Sequence, residues 1–356
     1  MVNSNIDDFR YHYSLAKNWH EFAISDSKLK LETNLQDILI RFETYYVAQM
    51  LLYMCAALNS VRKSNESIDL PMLPAVLEIV EKRKLDETEP LIGCYKAIVL
   101  LLQTQKQQYF DELLLILGND VLQLEKAELS GIYTIAINYC IRRYNQGNVV
   151  FGEYVLDLYT EMLESDCLIS NHYLEYMHFK NILFVALALK KHTWAKAFVV
   201  KYESRLNPDI RSDMKCYGEG LIAFREGKYE EAQLSFLQIN NFNFVFHLNK
   251  EIYLLKIFYM SNGLLLESKL ETLRSYLRQN KQLTAKTRKE YEFFYKKLKQ
   301  LYRIKEQYDF LKNNPAKLEK VKKAAEKLLA SIENERGVIV QGLWFRKQVE
   351  ELLNKM

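Results

Sequence analysis

Apolar residues recur along this chain at helical spacing, in paired stretches parted by short polar breaks. Leu91, Tyr95, Ile98 and Leu102 fall at offsets of 0, 4, 7 and 11, which is one face of a helix. After a break at residues 104–108, Phe110, Leu113, Leu114 and Leu117 follow at 0, 3, 4 and 7, and Gly118-Asn119 is a stop signal. Two such segments with a short break between them predict an antiparallel helical hairpin. Ile132, Ile135 and Tyr139 open a second hairpin, which passes through residues 145–148 into Phe151, Val155, Leu158 and Met162. A third runs over residues 172–190 and 194–206 and closes at Asn207-Pro208, where proline cannot extend the helix. A fourth takes residues 216–225, a turn at 226–228, and residues 229–239 with Tyr229, Ala232, Phe236 and Ile239 on its buried stripe. A fifth sets Ile252, Leu255 and Tyr259 before Ser261-Asn262-Gly263, and Leu266, Leu270, Leu273 and Leu277 after it.

Outside these pairs, residues 31–63 read as one long helix or a kinked pair. Residues 71–84 read as a shorter helix after a polar linker at 64–69. Residues 284–304, 316–332 and 338–353 predict three more helices, with Asn313-Asn314-Pro315 as the break before the penultimate one. No stretch combines β-branched enrichment with turn dipeptides, so essentially no sheet is expected. Composition agrees: 11 Gly and 5 Pro in 356 residues are few enough for long helices on short connections. Hydrophobic residues at 49% against charged residues at 26% exclude a disordered chain.

The recurrence after roughly 34 to 40 residues is that of helical repeat arrays, in which each hairpin hides its apolar face against the next. In YGEGLIAFREGKYEEAQLSF, Gly220, Gly227, Tyr229, Ala232 and Phe236 match the tetratricopeptide repeat in type and spacing, and the chain resembles that family there. The preceding hairpin keeps Trp194 and Ala197 at the aromatic and small positions but has Val185, His192 and Lys201 where the pattern wants a small residue, a turn glycine and an aromatic. The resemblance covers residues 171–279, with 88–164 joined by periodicity alone. It implies an all-α fold, an α-solenoid of stacked antiparallel hairpins winding as a right-handed superhelix. Residues 1–87 would then cap the array, 88–280 form it, and 281–356 pack on it as a basic helical region. It also implies that the first helix of each hairpin lines a concave groove. Carried onto this chain, the inward positions are Tyr217, Leu221, Phe224 and Arg225, with Ile182, Ala186, Leu189 and Lys190 in the preceding repeat. Packing between repeats is the competing reading for each of them.

Candidate chemistry is sparse. His12, His20, His172, His178, His192 and His247 form neither an HExxH motif nor an i, i+4 pair, and His172 and His178 are expected on different helix faces. Cys55, Cys94, Cys140, Cys167 and Cys216 are scattered and odd in number, as small core residues in a reducing compartment would be. Gly218-Glu219-Gly220 lacks the third glycine, strand and lysine of a phosphate loop. Residues 1–10 have no apolar signal core, and the apolar run 45–58 is shorter than the roughly 20 residues that cross a bilayer. A cytoplasmic, non-catalytic scaffold for a protein or peptide partner is the reading these features favour, with no cofactor and no membrane.

Charge supplies the alternative. Residues 281–330 hold 15 Lys or Arg against 6 Asp or Glu, so the region is strongly basic although the whole chain carries only +4. Its lysines alternate with aromatics, as a nucleic-acid binder requires. Tyr291, Phe294, Leu298 and Leu301 are nevertheless spaced as a buried stripe, which makes the lysines a solvated face. An enzyme whose site leaves no linear trace is the second alternative.

Overall fold

The computed structural model describes residues 5–25, 34–64, 68–120, 124–240, 244–261, 263, 265–334 and 341–356. Parts of the expected elements, at residues 31–33, 65–67, 262 and 338–340, lie outside them. The described residues contain seventeen α-helices, a 3-10 turn at Glu203–Arg205 and one two-stranded pairing, and the all-α class holds. The chain divides into two compact units, Met1–Lys190 and Lys191–Met356. The division falls between the two segments that the sequence pairs as a third hairpin.

The first unit begins with α1 (Ile6–Ser25), which has no counterpart in the sequence reading, followed by α2 (Leu35–Ser64), α3 (Leu73–Arg83) and α4 (Leu85–Thr88). α1 buries Phe9, Ala16 and Ala23 yet exposes Tyr11, Leu15, Trp19 and Phe22. Apolar residues on two sides blur the helical period, which is why pattern reading missed it. The apolar run is the centre of α2, where Val47, Ala48, Leu51, Met54 and Cys55 are buried. No helix among the described residues is long and apolar enough to cross a membrane. Next come α5 (Pro90–Thr104) with α6 (Gln107–Asp120), α7 (Lys126–Asn145) with α8 (Val150–Glu164), and α9 (Tyr176–Ala188). The partners α5/α6 and α7/α8 pack on each other, as the first two hairpins require. Leu91, Tyr95, Ile98, Leu102, Phe110, Leu113 and Leu117 are all buried, as are Ile132, Tyr139, Phe151, Val155, Leu158 and Met162.

Before α9 the structure corrects the expected helix start at residue 172, and the strand pairing there is only four residues, in line with an essentially sheet-free chain. β1 (Ile169–Ser170) and β2 (Tyr173–Leu174) pair antiparallel. Asn171 and His172 between them have φ of 48° and 71°, so both central residues are left-handed, which matches a tight hairpin turn. His172 therefore lies in a turn and not on a helix face. Asn-His does this job where Asn-Gly is the usual signal, because asparagine tolerates positive φ.

In the second unit α10 (His192–Tyr202) precedes α11 (Pro208–Glu226), α12 (Tyr229–Leu237), α13 (Phe244–Met260), α14 (Leu266–Gln279), α15 (Ala285–Leu311), α16 (Pro315–Asn334) and α17 (Gly342–Leu353). Each packs against the next along the chain. The start of α11 follows from its sequence: the Asn207 side chain accepts from the Asp209 N–H and Pro208 occupies the first turn. Its end follows from Gly227, at φ 80°, a conformation only glycine adopts freely. At Gly220 a Cβ would lie 3.1 Å from the Phe236 ring, so glycine lets α11 and α12 close together. Phe236 in turn meets Tyr217 edge-on at 5.8 Å and stacks on Tyr253 at 5.3 Å, forming the aromatic centre of this unit.

Candidate partner-binding groove

Five of the eight positions nominated from the repeat pattern are core. Tyr217, Leu221 and Phe224 on α11 are buried, and Tyr217 is in ring contact with Phe236 and Phe246. Ile182 and Ala186 on α9 are likewise buried. The packing alternative thus describes these five residues, because a stripe at helical spacing faces the neighbouring helices. Arg225 and Lys190 are exposed and Leu189 is half-buried. The two sets lie in different units, α9 in the first and α11 in the second.

Leu189 is the nominated residue that reaches an open apolar groove. This groove, of about 320 Å³, lies within the first unit among α7, α8 and α9, and Ile141, Tyr144, Gly152, Val155, Tyr159, Asn181, Phe184, Val185, Ala188 and Leu189 line it. Val155 and Tyr159 form a buried floor, while Tyr144, Phe184, Val185 and Leu189 are half-exposed walls. Gly152 shapes it: a Cβ there would sit 2.7 Å from Leu189 Cδ2 and 3.0 Å from the Tyr144 ring. The polar element of the wall is Asn181, hydrogen-bonded to the Tyr159 hydroxyl, whose pKa burial pushes up. The groove is thus an apolar slot with one amide, suited to holding an apolar side chain beside a hydrogen-bonding backbone. Tyr144 and Phe184 escaped the sequence reading. The signal that could have found them is Gly152, an isolated glycine inside a helical pattern, which implies a close approach.

The titratable residues offer little convergent chemistry. Cys55, Cys94, Cys140 and Cys216 are buried and Cys167 is half-buried. Burial pushes the Cys140 thiol up to about 12, far from a reactive thiolate. His178 and His247 are pushed down by burial. Among the described residues no group of three or more His, Cys, Asp or Glu is placed to hold a metal ion.

The second unit does enclose one unusual group. Lys256 on α13 is almost fully buried, and its Nζ donates to Gln341 Oε1 at 2.6 Å, just before α17. The rings of Tyr253, Trp344 and Phe224 surround the amine at 4.7, 5.1 and 5.7 Å. Burial, assisted by the Arg225 charge, holds its pKa well below the ordinary lysine value. No carboxylate pairs with it among the described residues, and its contacts tie α13 to the start of α17. Compared with known proteins, the chain matches no family model, no curated protein and no solved structure.

Proposed function

We propose that this chain is a non-catalytic scaffold of the tetratricopeptide-like kind, whose hairpins stack as a solenoid and which binds a peptide or protein segment. The observation that carries the reading is the groove among α7, α8 and α9. The repeat architecture would present ligands to the first helices of successive hairpins, and α7 and α9 hold those places in the order of the chain. An extended segment would seat one apolar side chain against Val155, Tyr144 and Phe184 and offer its backbone to Asn181. The buried thiols fit a reducing compartment, in keeping with a cytoplasmic location.

The test is selection from a displayed peptide library on the intact protein, followed by binding of a selected peptide to wild type and to Phe184→Asp. Half-exposed Phe184 can change without emptying the core, and a circular-dichroism spectrum checks that the helices persist. Selected peptides sharing an apolar anchor, with affinity reduced at least tenfold by Phe184→Asp, support the proposal. Failure to select any peptide, or unchanged binding by a folded Phe184→Asp protein, overturns it. Tyr217→Ala is unsuitable for this purpose, since it would hollow out the centre of the second unit.

A further inference from the structure

The buried stripe of α15 is the one its spacing predicts: Tyr291, Phe294, Leu298 and Leu301 are all in the core. The opposite outcome holds for two other aromatics of the same helix. Lys289, Phe293, Lys296, Gln300, Arg303, Gln307 and Phe310 follow one another at alternating steps of four and three, which places them on one continuous helix stripe. All but half-buried Phe293 are exposed, and Phe310 is 87% exposed. The stripe contains three cations, two amides and two rings, and no carboxylate. Of the acids of α15, Glu290 and Asp309 lie away from this stripe, while Glu292, one turn from both Lys289 and Lys296, and Glu306, one turn from Arg303, border it.

Beside this stripe a cleft of about 340 Å³ runs between α15 and α16, its polar lining being Gln300, Arg303, Gln307, Lys327, Ser331 and Lys297 and its apolar lining Ile304, Ala324 and Leu328. Lys297 is buried, with its amine hydrogen-bonded to the Ser331 hydroxyl and 4.5 Å from the Phe293 ring centre. Arg303 and Lys327 face the cleft from opposite sides, and among the described residues neither has a carboxylate partner. A solvated helix face normally mixes both signs of charge and carries no large exposed ring. This face carries more cations than acids and a ring that is 87% exposed.

We infer that the α15 stripe and the α15/α16 cleft form a binding site for a single-stranded nucleic acid. Cations that track a phosphate backbone, interleaved with rings on which bases stack, are what sequence-tolerant recognition of a single strand requires. Lys289 and Arg303 are fourteen positions apart, which at the helical rise spans about 21 Å. Charges strung over that length suit a run of phosphates. A single phosphorylated side chain would instead call for arginines gathered at one point. A membrane surface would need an apolar helix face in addition to the charges, and the apolar face of α15 is buried. The site lies wholly in the second unit and is separate from the groove among α7, α8 and α9.

The experiment is fluorescence anisotropy of labelled 20-nucleotide single-stranded RNA and DNA of mixed sequence. It is titrated with the full chain at 50 and 200 mM salt, with the matching duplexes, a phosphopeptide and anionic vesicles as further arms. Single-strand binding that weakens with salt is expected, RNA and DNA being told apart by their own curves. Arg303→Ala combined with Lys327→Ala should flatten the logarithmic salt slope by about 1.4, the share of two phosphate contacts to a single strand. Phe310→Ala should lower affinity about tenfold and leave that slope unchanged, because stacking releases no counterions. Lys201→Ala, a charge loss on α10, should change neither. Each substituted side chain is exposed, so the folded state should survive, and circular dichroism verifies it. The inference is overturned by absence of single-strand binding at 50 mM salt, by binding indifferent to the Arg303, Lys327 and Phe310 changes, or by preference for the phosphopeptide, the vesicles or the duplexes.

Discussion

Interior glycines of α8 and α11 are both pressed against neighbouring side chains, and the consequences differ. At Gly220 on α11 the space of the missing methyl is filled by the Phe236 ring, itself wedged between Tyr217 and Tyr253. The hairpin there is closed. At Gly152 on α8 the corresponding space is filled by the end of Leu189 and the edge of Tyr144, both of which border an open slot. The first glycine belongs to the stretch that matches a repeat pattern, and the second to a stretch without such a match. Where the chain follows the pattern most faithfully, its residues are spent on packing. The open slot is found where the pattern has lapsed.

The most severe way to break the closed hairpin is Phe236→Ala, which should cost about 3–5 kcal/mol of stability in chemical denaturation, because a fully buried ring leaves a cavity. Removing the buried cation beside it acts in a pH-dependent way. Lys256 has its folded pKa depressed, so between that value and the ordinary lysine value the unfolded chain binds more protons. The stability of the second unit should therefore rise with pH across that window, by no more than about 1.4 kcal/mol per pH unit for one proton. Lys256→Met should remove this rise, as read from denaturation at a series of pH values.

The two glycines provide the sharper contrast. Alanine at position 220 gains about 1 kcal/mol of helix propensity but must displace a ring held on both sides, at about 1–3 kcal/mol, so a net loss near 1 kcal/mol is expected. Alanine at position 152 gains the same propensity against side chains at the edge of a groove that have room to swing. Its stability in chemical denaturation should stay within about 0.5 kcal/mol of wild type while affinity for a groove-selected peptide falls. Equal stability losses at both positions would erase the distinction between closed hairpin and open groove. Gly227→Ala, at positive φ in the turn, should cost about 1 kcal/mol and leave the groove of the first unit untouched.

Helix positions were legible because burial of one face imposes a period that survives in the order of residues. Leu266, Leu270, Leu273 and Leu277, for instance, are all found buried as their spacing requires. α1 was not legible, since Tyr11, Leu15, Trp19 and Phe22 add apolar residues on its exposed side. The Asn171-His172 turn was missed because its left-handed pair lacks glycine. Of the nominated groove residues, Leu189 reaches the slot while Tyr217, Leu221, Phe224, Ile182 and Ala186 are interior. Phe310 lies outside the buried stripe that the spacing of α15 predicts, and only the structure shows its ring 87% exposed among the described residues.

The sequence by itself determined the helical class, the turn at Gly227 and the basic character of the C-terminal helices, whereas α11 begins at Pro208 and not at residue 216, with Asn207 as its cap and not only the stop of the helix before. Class, turn and charge depend on local periodicity, backbone preference and composition, which neighbouring residues carry among themselves. Which apolar faces are covered, which glycine closes a hairpin and which opens a slot, and which rings stand beside which charges were decided by the tertiary structure. Those outcomes depend on distances between segments far apart in the chain, and a linear pattern does not contain them.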